Sequence, residues 1–263
     1  MSMHTDPSVE RSRSVKSARP VTLDDIAFPH PKLRLEQDDE WIVVRSGGQW
    51  QRIRLHDYNE VFSIPGLYDL WVYGVLECAS PRRVRDLLRR TLADAKVDPG
   101  SLTVLDLGAG PGSVAKELST IGIGTFVGVD IAPMARVAAE RDHPECYVNY
   151  VVDDLTAMSD ESKATLARHS FNAMTCVAAL GFGDIPTAVF SAAIDQLEPG
   201  AWVAFTIKNE FVENPDASPF ATLVDRSDAS GDLRILARET YVHRLDSSGE
   251  PILYTGFIAR TRE

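Results

Sequence analysis

Apolar and polar positions change rhythm along this chain. "WIVVRSGGQWQRIRL" (41–55) reads as two strands about a Gly47-Gly48 turn. "EVFSIPGLYDLWVYGVLECAS" (60–80) is dense in aromatics and broken by Pro65-Gly66. "SPRRVRDLLRRTLADA" (80–95) opens a helix, with Ser80 as its cap, Pro81 at the first helical position and the basic residues mostly on a solvated face. From about residue 101 strands and helices alternate. Strands are predicted at "LTVLDL", "TFVGVD", "CYVNYVV", "FNAMTCV", "AWVAFTIK", "LRILARETYVHRL" and "PILYTGFIAR", with helices near 112–121, 133–141, 159–169, 186–197 and 217–227. Short connections between alternating elements imply a parallel sheet covered on both faces. The last two strands are joined by "DSSGEP", too short for a parallel crossover, so they form an antiparallel hairpin.

The expected class is thus α/β: seven strands, mostly parallel with a C-terminal antiparallel hairpin, helices on both faces, and an N-terminal accessory segment. Residues 1–20 are polar and read as a disordered tail, 21–99 as an accessory or lid region, and 100–263 as the main domain. A length of 263 residues and 44% apolar content suit that division. No apolar run reaches the ~18 residues of a membrane span, and the N-terminus lacks the apolar segment of a secretory signal. Cys78, Cys146 and Cys176 have no metal-ligand spacing and suit reduced thiols in a cytoplasm. A net charge of -11 disfavours a broad nucleic-acid surface. Oligomeric state is left open.

The chemistry concentrates in "VLDLGAGPGS", Val104 to Ser113. Gly108, Gly110 and Gly112 sit between an apolar strand and a helix, where the chain turns sharply or a ligand approaches the backbone closely beside helix N–H groups, a plain connector being the other reading. About twenty residues further on, a second strand ends in Asp130, placed to accept hydrogen bonds from both hydroxyls of a ribose. A nicotinamide dinucleotide wants its third glycine one residue later. Its pyrophosphate would also meet the carboxylate of Asp106.

"DLGAGPG" resembles the acid-x-G-x-G-x-G motif of class I S-adenosylmethionine-dependent methyltransferases, and the likeness runs from about residue 100 through the terminal hairpin. It implies a Rossmann-like sheet and S-adenosylmethionine as cofactor, with S-adenosylhomocysteine as product. "CVAALGFGDIP" and "QLEPGAWVAFTIK" are further similar to the small-molecule branch, including Williams-Beuren-related methyltransferases. By this resemblance Asp106 lies near the methionyl ammonium, usually through water. Gly108, Ala109, Gly110 and Gly112 form the turn, with the first three passing under the methionyl and ribose parts. Asp130 holds the ribose and Ile131 packs on adenine. Asp153 or Asp154 accepts from the adenine amino group beside Leu155, the other reading for either aspartate being a turn or helix cap. Cys176 and Val177 line the pocket near the sulfonium, a buried strand cysteine being the other reading of Cys176.

On the acceptor side, the proline-rich motif of amino-methylating enzymes is absent after the fourth strand. Asp184 and Asn209 imitate the metal ligands of catechol-type enzymes only loosely, and no metal is expected. The aromatic segment is expected to fold over the cofactor as a lid, with Tyr68, Trp71, Phe182 and Phe211 as candidate acceptor contacts and core packing as the competing role. A hydroxyl acceptor needs a base. Tyr58, His56 and Asp184 are the candidates, a surface histidine being the other reading of His56, while His143, His169 and His243 read as surface histidines. A small-molecule acceptor is expected, against two alternatives: a protein acceptor, or binding of the cofactor without methyl transfer.

Overall fold

The computed structural model describes residues 19–30, 35–180, 185–214, 218–230 and 232–263. Near the N-terminus, β1 (Ile26–Ala27), β2 (Trp41–Ser46) and β3 (Gln49–Arg54) make a small antiparallel sheet, with Ser46 opposite Gln49 across the Gly47-Gly48 turn. Alternation on β2 turns Ile42 and Val44 inward. They meet Val61 of α1 (Tyr58–Ser63) and Trp71 of a π-helical turn (Asp69–Val75) in one local core. Wide turns of that type cluster at functional sites.

α2 (Ser80–Asp94) opens the main layer structure. The strands β4 (Thr103–Leu107), β5 (Thr125–Asp130), β6 (Asn149–Val152), β7 (Phe171–Leu180), β8 (Leu197–Lys208), β9 (Leu233–Leu245) and β10 (Pro251–Thr261) form a sheet in the order β6-β5-β4-β7-β8-β10-β9. β10 runs antiparallel to both β8 and β9, and the remaining pairs are parallel. The intervening helices are α3 (Ser113–Ser119), α4 (Pro133–Asp142), α5 (Asp160–Leu166), α6 (Thr187–Ile194), α7 (Asn209–Glu213) and α8 (Pro219–Ser230). The pleat sends Val104 to a core shared with α2 and α3, and Leu105 and Leu107 to the opposite core shared with α6 and α8. The seven-stranded α/β class with its terminal hairpin is therefore as expected from the sequence.

From β4 the chain steps outward through β5 and β6, then returns to the other side of β4 as β7 and β8. The direction of strand order thus reverses between β4 and β7. In open α/β sheets a crevice forms at the carboxyl ends of the strands at such a point.

Ser80 departs from its expected role as a cap. Ala79 is the N-cap residue, and Ser80 Oγ is buried at 2.7 Å from both Tyr241 Oη and His243 Nδ1. The root of the aromatic segment is fastened to β9 by backbone bonds: Ala79 N–H donates to His243 O at 2.7 Å and Leu245 N–H to Leu76 O at 2.8 Å. Beside them Glu40 and Arg244 form an ion pair, 1% and 3% exposed. The other Glu40 carboxylate oxygen accepts from Ser247 N–H at 2.6 Å.

Removing one partner of a buried ion pair strands the other charge, at a cost of ~3–5 kcal/mol, whereas replacing both with apolar groups is often nearly neutral. Arg244→Met is therefore expected to lower stability in urea denaturation by about that amount, and Glu40→Leu with Arg244→Met to cost less than the single change. Equal costs for the single and double variants would show that the pair does not hold the accessory region to β9.

Candidate active site

Strand β4 ends in the glycine turn, and its backbone is held from several directions. Gly108 and Ala109 N–H both donate to Val129 O, at 2.9 and 3.1 Å. Gly110 N–H donates to Asp130 Oδ2 at 2.9 Å, and Gly110 O accepts from Tyr150 Oη at 2.8 Å. Gly108 and Gly110 have φ of +67° and +51°, the left-handed region that side chains resist. A Cβ on Gly108 would lie 3.0 Å from Ile185 Cδ1 and 3.1 Å from Ala179 Cβ.

Asp106 lies beneath the turn rather than in the cleft. Its carboxylate accepts from Thr175 Oγ1 at 2.6 Å and from Tyr147 Oη at 2.7 Å, tying β4 to β7 and to the approach to β6. Burial pushes its pKa up to about 7, against those two donors. Tyr147 and Tyr150 were invisible as site residues in "CYVNYVV", which carries only a strand pattern.

Above the turn opens a cleft of about 400 Å3. It is lined by Gly108, Gly110, Asp130, Ile131, Asp153, Asp154, Leu155 and Val177 among the expected cofactor residues, and by Tyr58 and Tyr68 from the aromatic segment. Asp130 Oδ1 accepts from Ala132 N–H at 2.9 Å, and burial raises its pKa despite its backbone donors. Ile131 is 69% exposed, an apolar side chain presented to the cleft. Both aspartates of "DD" close turns. Asp153 accepts from Asp154 N–H, Ser159 N–H and Ser159 Oγ, while Asp154 Oδ1 accepts from Thr156 N–H and Oγ1. Hydrogen bonds from Ser162 and Ser159 hold Asp153 well below the usual carboxylate range.

A second, smaller chamber of about 70 Å3 adjoins the cleft. The two share Tyr58, Tyr68, Gly108, Gly110, Val177 and Ala178. Ala178 has φ +60°, a strained conformation for alanine, at a register break of β7 against β8, and its N–H donates to Thr206 Oγ1 at 2.7 Å. His56 and Ala109 line the chamber, with Tyr73, Gln37, His243, Arg244 and Tyr254. Over the joint the rings run in a chain: Tyr58 to Phe62 at 5.7 Å, Phe62 to Tyr68 at 5.2 Å, Tyr68 to Tyr73 at 5.9 Å. A Cβ on Gly110 would lie 3.5 Å from the Phe62 ring, so the aromatic segment sits on the glycine turn.

Several expectations are corrected. Cys176 is fully buried in the core of the sheet and lines neither space; burial pushes its thiol well up. Trp71 is 2% exposed and packs against the small sheet instead of facing the cleft. Phe211 lines neither space and packs on the core beyond β8. Gly112 starts α3 against Tyr147, outside both spaces. His143 and His243 are not surface residues: His143 Nε2 lies 3.1 Å from Asp69 Oδ2, and His243 is 5% exposed on the chamber wall. Phe182 and Asp184 lie outside the described residues. Asn209 Oδ1 is engaged by Thr255 Oγ1 at 2.8 Å. Among the described residues no group of three or more His, Cys, Asp or Glu could hold a metal ion.

Asp130 joins the turn to the cleft. Asp130→Ala strands two backbone donors, so unfolding in urea is expected to show a loss of ~1–3 kcal/mol. Asp130→Asn keeps one oxygen and is expected to lose less. Equal losses would mean that this side chain does not hold the turn.

A family model described as a methyltransferase domain matches residues 79–246, from the start of α2 to the end of β9. The chain is 26% identical over 127 residues to a ubiquinone biosynthesis O-methyltransferase of Paraburkholderia xenovorans, covering 48% of this chain and 53% of that protein. It is 28% identical over 120 residues to the protein of that name from Xanthomonas axonopodis pv. citri, covering 46% and 48%. It therefore spans about half the length of the curated relatives it matches. Among solved structures, an S-adenosylmethionine-dependent methyltransferase from Clostridium acetobutylicum aligns over 75% of this chain and 97% of its own, with a TM-score of 0.51 at 12% identity. The family model's match covers more than half of the chain, which therefore belongs to the methyltransferase domain family, on the fold of the S-adenosylmethionine-dependent enzymes.

Proposed function

We propose that this chain transfers the methyl group of S-adenosylmethionine to a nitrogen or oxygen atom of a small molecule and releases S-adenosylhomocysteine. The observation that carries the reading is the joint between the two spaces. A long cleft suited to a nucleoside meets a small chamber along Val177 and Ala178, under Tyr58 and Tyr68. A sulfonium methyl held at that joint would face the chamber.

In this reading the Asp130 carboxylate accepts from the ribose hydroxyls and Ile131 covers one face of the adenine. Asp154 is the better candidate for the adenine amino group, because only its Oδ1 is engaged in the turn. Gly108, Ala109 and Gly110 let the methionyl part lie against the backbone. Methyl transfer is a direct displacement whose leaving group comes from the cofactor, so the protein's task is alignment and exclusion of water. The Tyr58 and Tyr68 rings can face the sulfonium, a cation–π attraction of ~0.5–2 kcal/mol. A hydroxyl acceptor would use His56 or Tyr58 as base, whereas an amine needs only to arrive unprotonated. The acidic charge of -11 favours a small molecule over nucleic acid, and a cytoplasmic setting suits the free cysteines. No described helix is long and apolar enough to cross a membrane.

The test is conversion of S-adenosylmethionine to S-adenosylhomocysteine by the purified protein, with fractionated cell extract as the source of acceptor. A low-molecular-mass fraction is expected to accelerate turnover. Acceleration by the protein fraction alone would indicate a protein acceptor; tight binding with no acceleration by any fraction would indicate binding without transfer. Hydrogen exchange of residues 58–75 is expected to slow when S-adenosylhomocysteine binds. Protection confined to residues 104–155 would remove the aromatic segment as a lid.

A further inference from the structure

The wall of the small chamber depends on a break in β9. Its buried and exposed positions largely alternate until His243 and Arg244, adjacent residues that are both buried. At that point the register against β10 slips: Ile252 pairs with Arg244 but Leu253 with Val242, so His243 is the extra residue. A β-bulge re-aims side chains in this way. Here it brings two consecutive polar side chains to the chamber wall.

What those side chains offer is set by their other partners. The Arg244 charge is met by Glu40. His243 Nδ1 is held by Ser80 Oγ at 2.7 Å, and Ser80 by Tyr241, so the ring is fixed from behind while Nε2 has no hydrogen-bond partner among the described residues. Burial pushes the His243 pKa down to about 3, which keeps the imidazole neutral. Tyr254 lies over that ring with centroids 4.1 Å apart. Across the chamber Gln37 Nε2 donates to Tyr254 Oη at 3.3 Å, while Gln37 Oε1 is buried with no partner among the described residues. A buried acceptor without a donor is unfavourable, and a ligand's O–H or N–H would remove that cost.

We propose that Gln37 and His243 determine acceptor specificity, by hydrogen bonding to the hydroxyl or amino substituent of a neutral aromatic ring. The inference rests on the methyl-transfer reading above. The ring's O–H or N–H donates to Gln37 Oε1, and His243 Nε2 meets the same substituent. Tyr58, Tyr68 and Tyr73 supply an aromatic wall. Carboxylates and phosphates are disfavoured, because the arginine lining the chamber is already neutralised by Glu40. A space of about 70 Å3 is smaller than the ~150 Å3 of an engineered cavity that holds benzene. The chamber therefore takes the substituted edge of a ring, with the rest lying toward the joint with the cleft.

The experiment uses the full chain saturated with S-adenosylhomocysteine and four probes, phenol, aniline, toluene and benzoate, followed by saturation-transfer NMR titration. Phenol and aniline are expected to bind at least tenfold more tightly than toluene or benzoate. Gln37→Leu is expected to reduce phenol to the level of toluene with S-adenosylhomocysteine affinity unchanged. Phenol and toluene binding alike to the S-adenosylhomocysteine complex, or Gln37→Leu leaving the preference intact, would overturn this inference and leave the cofactor reading standing. Failure of S-adenosylhomocysteine to bind the unmodified protein would instead overturn the methyl-transfer reading itself.

Discussion

One carboxylate governs the geometry of this site. Asp130, at the end of β5, accepts from Gly110 in the turn after β4 and from Ala132 at the start of α4. Those two backbone donors lie on neighbouring strand ends, and their shared acceptor sets how far apart the ends stand. The cleft walls follow from that spacing: the glycine turn on one side, Ile131 and Leu155 on the other, Asp130 between them. The same residue lines the cleft, so the group that holds the turn also forms part of the cleft wall. Tyr150 adds a second restraint by donating to Gly110 O, and Asp106 a third from below through Thr175 and Tyr147.

The small chamber is built by different means. The accessory region reaches the cleft because its root is bonded to β9 and its buried Glu40 meets Arg244 there. Farther along, Arg141 donates to Phe62 O at 3.0 Å and His143 pairs with Asp69, so α4 also holds the aromatic segment. These links place Tyr58, Phe62 and Tyr68 over the glycine turn. The chamber thus draws its walls from distant parts of the chain, among them Gln37, the aromatic segment, the glycine turn, Val177 and Ala178 of β7, and the terminal hairpin.

The glycine turn and the cleft lining were largely legible in the sequence. "DLGAGPG", Asp130 and "VVDDL" each stand at the end of a strand, and local chemistry fixes what a glycine or an acid does there. "DSSGEP" announced the hairpin for the same reason, since too few residues remain for a crossover. The chamber was not legible, because its residues come together only through long-range contact. "YVHRL" reads as an ordinary strand, and nothing in it signals that a bulge turns His243 and Arg244 to one face. Trp71 and Tyr68 stand three residues apart in one aromatic run, yet one is core and the other lines both spaces. The wide π-helical turn between Asp69 and Val75 separates them, and apolar periodicity does not reveal such a turn.

The central claim is that the cleft above Asp130 is a nucleoside site abutting the chamber of His243. A crystal structure of the protein with S-adenosylhomocysteine tests it most directly. The account predicts ribose hydroxyls within hydrogen-bond distance of the Asp130 carboxylate, adenine against Ile131, and the thioether sulfur at the joint formed by Val177 and Ala178. Density for the ligand elsewhere, or with its sulfur turned away from the chamber, would contradict it.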